Sequence, residues 1–323
     1  MRARQAPQIV LCLILVCGMG LVAIGTTLRD PISIRSEADL QTSNGVLYGS
    51  GSENDPYVIS GWQINVQRGI GIEVKDVSAY VVVRDCTVVG NGRAGTGILL
   101  RGAPHVQVVD CRLADLAAGV FLYQNAQGSV NRNTISSCRR GIAGTESDGV
   151  VLTENRIEKS AERGLFLWRC HDAIMADNVL LACTDGIYLD SCHRDMLARN
   201  RVEGSVHGIF LWDSFNCQAT ENIVRDCELG FAIVHTSEDN RVFGNTFGEN
   251  DRAATCDNPQ NLWDAGYPEG GNFWGGESFS DVLSGETQDR DGSDGIADQP
   301  REIPFGSMDR YPLMQEPAVG GSS

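Results

Sequence analysis

The segments Gly164-Leu165-Phe166-Leu167, Gly186-Ile187-Tyr188-Leu189 and Gly208-Ile209-Phe210-Leu211 decide the fold of this chain. The same start, a glycine followed by an apolar residue, recurs at Gly97, Gly119, Gly141, Gly164, Gly186, Gly208 and Gly230, at intervals of 22, 22, 23, 22, 22 and 22 residues. A period of this length is typical of stacked units that bury a core only together. The alternation in Gly-Ile-x-Leu indicates that each unit begins with a β-strand.

Further columns follow at fixed distances from the glycine. An asparagine comes fourteen residues later at Asn133, Asn155, Asn178, Asn200 and Asn222, with Cys111 in an earlier unit and Asn245 one residue late. We interpret it as an inward-pointing turn residue, since asparagine tolerates left-handed dihedrals and stacked amides hydrogen-bond from rung to rung. An apolar column, also predicted to point inward, comprises Leu113, Ile135, Ile157, Leu180, Val202 and Val224.

The residue thirteen positions after the repeat glycine belongs to an outward, charged column. Its members are Asp110, Arg132, Glu154, Asp177, Arg199 and Glu221, so each basic residue has acidic neighbours. Stacking in register would place opposite charges about 4.8 Å apart, the spacing of adjacent strands. No helical arrangement accounts for all these columns together.

The columns predict an all-β protein, a single right-handed parallel β-helix (a solenoid) of about eight coils of 22 to 23 residues. We expect the β-helix to occupy residues 71–250. Open ends of such a stack need caps, because exposed strand edges invite further pairing. We therefore assign residues 28–70 to an N-terminal cap and first strands, 251–316 to C-terminal capping loops and 317–323 to a disordered tail.

Residues 1–27 have the pattern of a leader. Arg2 and Arg4 precede an uncharged apolar run from Ile9 to Ile24, and Ala23-Ile24-Gly25 places small residues where a signal peptidase cleaves. The run is short for a membrane span. We predict a signal peptide, with a retained N-terminal anchor as the alternative and the only expected contact with a membrane. In both cases the β-helix lies outside the cytoplasm.

Nine of the eleven cysteines follow the leader, an odd number that leaves at least one thiol unpaired within the chain. Cys138, Cys183 and Cys227 share one column, which predicts small buried side chains that stack along the axis. Cys170 and Cys192 also share a column, but neighbouring Cβ atoms about 4.8 Å apart are too widely spaced for a relaxed disulfide. Packed thiols are the expected state.

The net charge of -16 argues against a nucleic-acid partner, because phosphate neutralisation by Lys and Arg supplies most of that affinity. Anionic polysaccharides are disfavoured for the same reason unless a divalent cation bridges them.

Outward positions of the first strand carry large aromatic side chains. They stand two and four residues after the repeat glycines and include Tyr123, Phe166, Trp168, Tyr188, Phe210 and Trp212. Soluble proteins seldom leave a contiguous apolar surface unused. Sugars stack their apolar faces on such rings while their hydroxyls bond to neighbouring acids, so we predict that these residues bind a polysaccharide or glycan. The alternative is that a cap covers them or that they fill the pleat.

Three residues near the aromatic positions are candidates for catalysis. Asp190 lies in the column between Trp168 and Trp212, and Asp213 stands beside His235 of the next coil. An Asp-His pair orients an imidazole for proton transfer, and glycosidic chemistry requires two carboxyl groups about 5 to 9.5 Å apart. A simple polar ladder is the alternative.

A repeated Cys-His dipeptide suggests ligands for a soft metal. Cys170-His171 and Cys192-His193 repeat one dipeptide in consecutive coils, and thiolates with imidazoles suit Cu(I) or zinc. Adjacent residues of a strand point to opposite sides, so buried cysteines with exposed histidines are the alternative.

Closely spaced aspartates among glycines near the C-terminus resemble a calcium loop: Asp289, Asp291, Asp294 and Asp298. The twelfth position of the loop is Pro300 rather than glutamate. A purely structural acidic loop is the alternative.

Three parts of the sequence together resemble NosD-type parallel β-helix repeat proteins. They are the segment Gly49-Ser50-Gly51-Ser52-Glu53-Asn54-Asp55-Pro56-Tyr57-Val58-Ile59, the Gly-Ile-x-Leu…Asn repeats, and the ending Asn272-Phe273-Trp274…Asp294-Gly295-Ile296-Ala297-Asp298…Asp309-Arg310-Tyr311-Pro312-Leu313. The resemblance covers nearly everything after residue 45. It implies periplasmic copper handling in nitrous oxide reductase maturation and membership of a larger group of carbohydrate-binding proteins and sugar hydrolases. It supplies no universal catalytic set.

The sequence as a whole favours an exported β-helix protein that binds a glycan or cell-surface polymer. Three alternatives stay open: a copper-handling accessory protein, a polysaccharide hydrolase, lyase or epimerase, and a structural surface protein. Calcium is the cofactor that the residues suggest, and copper is implied only by the resemblance.

Overall fold

The computed structural model describes residues 27–92 and 94–317, which form a parallel β-helix of three long sheets. The predicted leader and tail lie outside the described residues except for Thr27 and Pro317. Within these described ranges, no helix is long and apolar enough to cross a membrane.

The chain begins with strands β1 Thr27–Arg29, β2 Ile32–Ile34, β3 Val46–Tyr48, β4 Tyr57–Ser60 and β5 Trp62–Asn65, and with 3-10 turns at Glu37–Asp39 and Thr42–Asn44. The regular coils comprise β6 Ile70–Lys75, β7 Val81–Arg84, β8 Thr87–Val89, β9 Thr96–Arg101, β10 Val106–Val109, β11 Arg112–Ala114, β12 Ala118–Tyr123, β13 Ser129–Asn131, β14 Thr134–Ser136, β15 Arg140–Thr145, β16 Val151–Thr153, β17 Arg156–Glu158, β18 Arg163–Trp168, β19 Ile174–Ala176, β20 Val179–Leu181, β21 Asp185–Asp190, β22 Met196–Ala198, β23 Arg201–Glu203, β24 His207–Trp212, β25 Gln218–Thr220, β26 Ile223–Arg225, β27 Leu229–Val234, β28 Arg241–Phe243 and β29 Thr246–Phe247. The C-terminal region contains β30 Arg252–Cys256, β31 Phe273–Trp274, β32 Leu283–Ser284, β33 Arg290–Asp291, β34 Arg301–Ile303 and β35 Ser307–Asp309.

Each coil contributes one strand to each sheet. Sheet 1 has the order β2-β6-β9-β12-β15-β18-β21-β24-β27-β30. Sheet 2 contains β7 and every third strand after it up to β28, and sheet 3 contains β8 and every third strand after it up to β29. The 24 strands from β6 to β29 therefore make eight three-stranded coils, which confirms the predicted architecture. The parallel sheets also reach beyond residues 71–250, because β2, β4 and β5 precede the regular coils while β30 and β31 follow them.

Close contact between coils explains the glycine period. A Cβ atom on Gly186 would lie 2.5 Å from the carbonyl oxygen of Gly208 and 2.3 Å from a methyl carbon of Val202. A Cβ on Gly208 would likewise lie 2.4 Å from the carbonyl oxygen of Gly230. Any side chain in this column would collide with the backbone of the next coil, so glycine is required once per coil.

The predicted asparagine ladder is present. Asn178 Oδ1 accepts hydrogen bonds from the backbone amide and the Nδ2 of Asn155, both at 3.0 Å, and Asn178 donates its own Nδ2 to Asn200 at 2.9 Å. The pattern continues to Asn272, whose amide donates to the buried carboxylate of Asp309 at 2.8 Å. The final loop thus supplies the last acceptor of the ladder.

The asparagines of the ladder do not adopt left-handed dihedrals, so that part of the sequence argument is wrong. At this turn the left-handed dihedral belongs to the preceding residue. The charged column from Asp110 to Glu221 has φ between +53° and +58°. The chain bends at this residue, which directs its charged side chain outward and the following amide inward. The expected charge pairing occurs at Arg132–Asp110, 3.0 Å, and at Arg199–Asp177, 2.7 Å.

The interior is apolar and contains the thiols. The column predicted to point inward, from Leu113 to Val224, is fully buried. All nine cysteines of the described residues are buried and free, including Cys138, Cys183 and Cys227. The packing role predicted for these thiols is therefore confirmed.

Candidate functional site

The outer side of sheet 1 carries an aromatic surface, formed by Phe166, Trp168, Tyr188, Phe210 and Trp212. In β18 the burial alternates, so Leu165 and Leu167 enter the core while Phe166 and Trp168 stay half-buried on the outside. The same alternation holds in β21 and β24. Tyr123 lies apart from this surface, because Thr145 separates it from Trp168 in the register.

Three of the rings cover one another. Tyr188 and Phe210 stack face to face with centroids 5.0 Å apart, and Phe166 lies 6.0 Å from Tyr188. The Arg163 guanidinium carbon sits 4.2 Å from the centroid of Phe166 and 3.9 Å from that of Tyr188. These contacts occupy ring faces of Phe166, Tyr188 and Phe210, which are half-buried.

The two tryptophans are not neighbours in their column, because the shorter side chain of Asp190 lies between them. Trp168 pairs with Asp190, and Asp190 pairs with Trp212, so the indoles stand two coils, about 9.5 Å, apart. His235, in the coil after Trp212, stacks on the Trp212 indole at 4.7 Å, and the Phe210 ring lies nearly parallel to it at 6.4 Å. Arg169 lies 4.5 Å from the Trp168 ring. We call the space above Asp190, between the two indoles, the tryptophan slot.

Asp190 forms the floor of this slot, and a second carboxylate, Asp213, follows Trp212 and contacts the next coil. Asp190 accepts a hydrogen bond from Ser191 Oγ at 2.8 Å and has no ion-pair partner among the described residues. Asp213 accepts hydrogen bonds from Thr236 Oγ1 at 2.7 Å and from the Nδ1 of His235. Desolvation raises the pKa of Asp213, but these hydrogen bonds outweigh it and hold the pKa below its usual value. Asp213 is therefore ionised at neutral pH and orients the His235 ring.

A polar cluster at the N-terminal ends of β18, β21 and β24 was not predicted from the sequence. Asp185 accepts from His207 Nδ1 at 2.8 Å and pairs with Arg163 Nε at 3.3 Å. The His207 ring lies 5.2 Å from Phe210. All three polar residues stand immediately before a repeat glycine, and stacking this column in register would have revealed their contact.

The predicted soft-metal residues diverge. Cys170 and Cys192 are fully buried, and burial raises the pKa of the Cys170 thiol to about 12 and that of Cys192 well above its usual value. His171 and His193 lie on the outer turn, where their rings meet edge to face at 4.8 Å. Alternation along the backbone separates the sulfur atoms from the imidazoles.

The predicted calcium residues Asp289, Asp291, Asp294 and Asp298 lie in the C-terminal loops. Asp298 accepts the Val282 amide at 3.0 Å, and Asp294 accepts the Gly285 amide at 3.0 Å, while Asp289 and Asp291 are exposed. Within residues 27–92 and 94–317, no group of three or more His, Cys, Asp or Glu side chains is arranged to hold a metal ion. The observed contacts are those of a structural acidic loop.

Fold and surface together define the class: a parallel β-helix protein whose outer face carries an aromatic slot with a carboxylate floor. The chain belongs to the NosD family, described as periplasmic copper-binding protein, whose model matches residues 52–278. This membership confirms the resemblance seen in the sequence. None of the curated proteins matches the chain.

Several solved structures are similar in fold. The periplasmic alginate epimerase AlgG has a TM-score of 0.46 and 14% identity over 85% of this chain and 77% of its own. The Azotobacter vinelandii mannuronan C-5 epimerase AlgE6 A-module has a TM-score of 0.45 and 14% identity over 73% and 70%. The Dettilon tailspike protein has a TM-score of 0.44 and 14% identity over 68% of this chain, which spans 57% of the tailspike. Similarity at this level assigns no function.

The family description implies copper, which would need nitrogen or sulfur donor atoms brought together at one place. The two sulfur donors nearest to exposed histidines are protonated thiols inside the core, and only His171 and His193 remain on the surface. Two imidazoles without a third ligand do not match the His, Cys and Met sets typical of protein copper sites. Cys170, His171, Cys192 and His193 therefore do not fit a copper centre.

Proposed function

We propose that this chain is an extracytoplasmic glycan-binding protein and that the tryptophan slot is its sugar site. The observation that carries the proposal is the register Trp168, Asp190, Trp212 on the outside of the β-helix. The periplasmic description of the NosD family supports the location. The proposal does not depend on the epimerases or tailspikes.

The slot has the groups that a sugar requires. Both indoles are half-buried on the outside of sheet 1 and offer flat apolar ring surface for the C–H bonds of a pyranose ring. Asp190 accepts hydrogen bonds from sugar hydroxyls at the floor, and charge-assisted bonds of this kind are stronger than neutral ones.

A glycan array on the mature chain identifies the ligand, and titrations of variants test the site. Trp168→Ala and Trp212→Ala should each weaken binding at least about 10-fold, the scale of a lost aromatic hot spot. The matched control is Tyr80→Ala, which removes a half-buried ring stacked on His105 at 4.4 Å, away from the slot. Because the tryptophans stand outside the core, both variants should keep the wild-type melting temperature. Binding that survives loss of both tryptophans contradicts the proposal.

A second candidate function is catalysis on a polysaccharide by hydrolysis, elimination or epimerisation. The Asp213–His235 contact favours it, since an ionised carboxylate on Nδ1 leaves Nε2 to exchange a proton with a sugar bound beside the His235 ring, one coil beyond Trp212. Array-selected polymers should then yield a product, and His235→Gln should slow its formation by at least ~100-fold while binding is retained. Bound polymer that stays chemically unchanged excludes this candidate.

A further inference from the structure

We infer that the tryptophan slot prefers sugars that carry a positive charge, namely protonated hexosamines, over their neutral N-acetylated counterparts. The inference rests on the proposed glycan-binding function and names the class of sugar. Two independent features of sheet 1 point to it: cations already occupy neighbouring rings, and the floor of the slot carries uncompensated negative charge.

The first feature is the behaviour of the protein's own cations. Arg163 lies over Phe166 and Tyr188, and Arg169 lies over Trp168. The electron-rich faces of aromatic rings attract cations, and indole is the strongest of them. Among the described residues no arginine lies over the Trp212 indole, so this ring can offer a ligand cation the interaction that Arg169 makes on Trp168.

The second feature is charge. Asp185, at the edge of the aromatic surface, is neutralised by Arg163 and bound by His207. Asp190 has no basic partner among the described residues, and the ionised Asp213 lies one coil further on. A ligand ammonium between the indoles would approach Asp190 directly and Asp213 at longer range, whereas a neutral acetamido group would meet Asp190 without forming an ion pair. The net charge of -16 adds to this preference.

The test compares two oligomers with the same backbone, a glucosamine tetramer and an N-acetylglucosamine tetramer, by calorimetric titration at pH 6 and low salt. We expect the wild type to bind the glucosamine tetramer at least about 10-fold more tightly, as a charge-assisted contact plus a cation–π contact would give. Asp190→Asn should bring the two affinities within about 2-fold of each other. The matched control, Asp226→Asn, changes an exposed carboxylate on the turn between sheets 3 and 1 and should keep the preference.

Each other outcome overturns the inference in a distinguishable way. Equal affinity of the wild type for both tetramers removes the charge preference but leaves glycan binding intact. A preference that survives in Trp212→Ala shows general attraction to the acidic surface rather than selection by the slot. Failure to bind either tetramer, while the array finds another neutral glycan, also leaves the proposed function standing. Failure with every glycan overturns both proposals.

Discussion

Replacing Asp195 by asparagine should stabilise the protein, and increasingly so at higher pH. Asp195 is 1% exposed, its Oδ1 accepts the Ala173 amide at 2.8 Å, and its Oδ2 is buried without a hydrogen-bond partner. Two coils on, Asn240 occupies the same column and donates its Nδ2 to the Ser214 carbonyl at 2.8 Å. An asparagine at 195 would find the equivalent carbonyl of Cys170, so the substitution converts an unpaired oxygen into a donor.

The magnitude follows from the pKa of Asp195. Burial raises this pKa from 3.8 to about 7. Since the folded state holds the proton more tightly than the unfolded state, the contribution to stability is complete below pH 3.8 and is lost as the pH rises towards 7. A shift of about three units corresponds to about 4 kcal/mol of lost stability at pH 8, of which roughly 2.5 kcal/mol is lost between pH 5 and pH 8.

The assay is urea unfolding of the wild type and Asp195→Asn at pH 5 and pH 8. The difference in unfolding free energy between the two proteins should grow by about 2.5 kcal/mol over this interval. Asp226→Asn, at an exposed carboxylate, is the control and should show no such growth. A difference that is the same at both pH values, or a variant less stable than the wild type at pH 8, would refute the reasoning.

Three further substitutions test the scaffold by urea unfolding. Asn178→Ala removes the acceptor of the Asn155 amide and should lower the unfolding free energy by roughly 1 to 3 kcal/mol; an unchanged midpoint contradicts a buried ladder. Gly186→Ala places a Cβ 2.5 Å from the Gly208 carbonyl oxygen and should cost about 1 to 3 kcal/mol, so a stable variant would disprove the contact. Asp309→Ala leaves the last ladder amide without its acceptor and should destabilise by about 1 to 3 kcal/mol, whereas wild-type stability would show that the C-terminal loop does not cap the ladder.

The fold was predictable because each coil repeats the same physical demands. The glycine column records a contact too close for any Cβ, and the asparagine column records buried amides that must be paired. The position of the left-handed residue was not predictable from residue type, since Arg132 and Glu154 adopt φ values that are uncommon for such side chains. Stacking constraints outweigh their local preference there.

The site was predictable only in part. Period and alternation place Trp168, Asp190 and Trp212 on one outer column, as the structure shows. Which ring faces remain free depends on side-chain torsions and on neighbours such as Arg163, and no sequence column specifies these. The divergence of the repeated Cys-His dipeptide, in contrast, was predictable, because adjacent residues of a strand point to opposite sides, and Cys170 and Cys192 are buried.

The central claim, that the tryptophan slot binds a glycan, is tested most directly by a crystal structure of residues 28–323 with an array-selected oligosaccharide. The account predicts a sugar ring between the indoles of Trp168 and Trp212, with a hydroxyl or ammonium group within hydrogen-bond distance of an Asp190 carboxylate oxygen. Oligosaccharide density on sheet 2 or sheet 3, with the slot open to solvent in the same crystal, would contradict it.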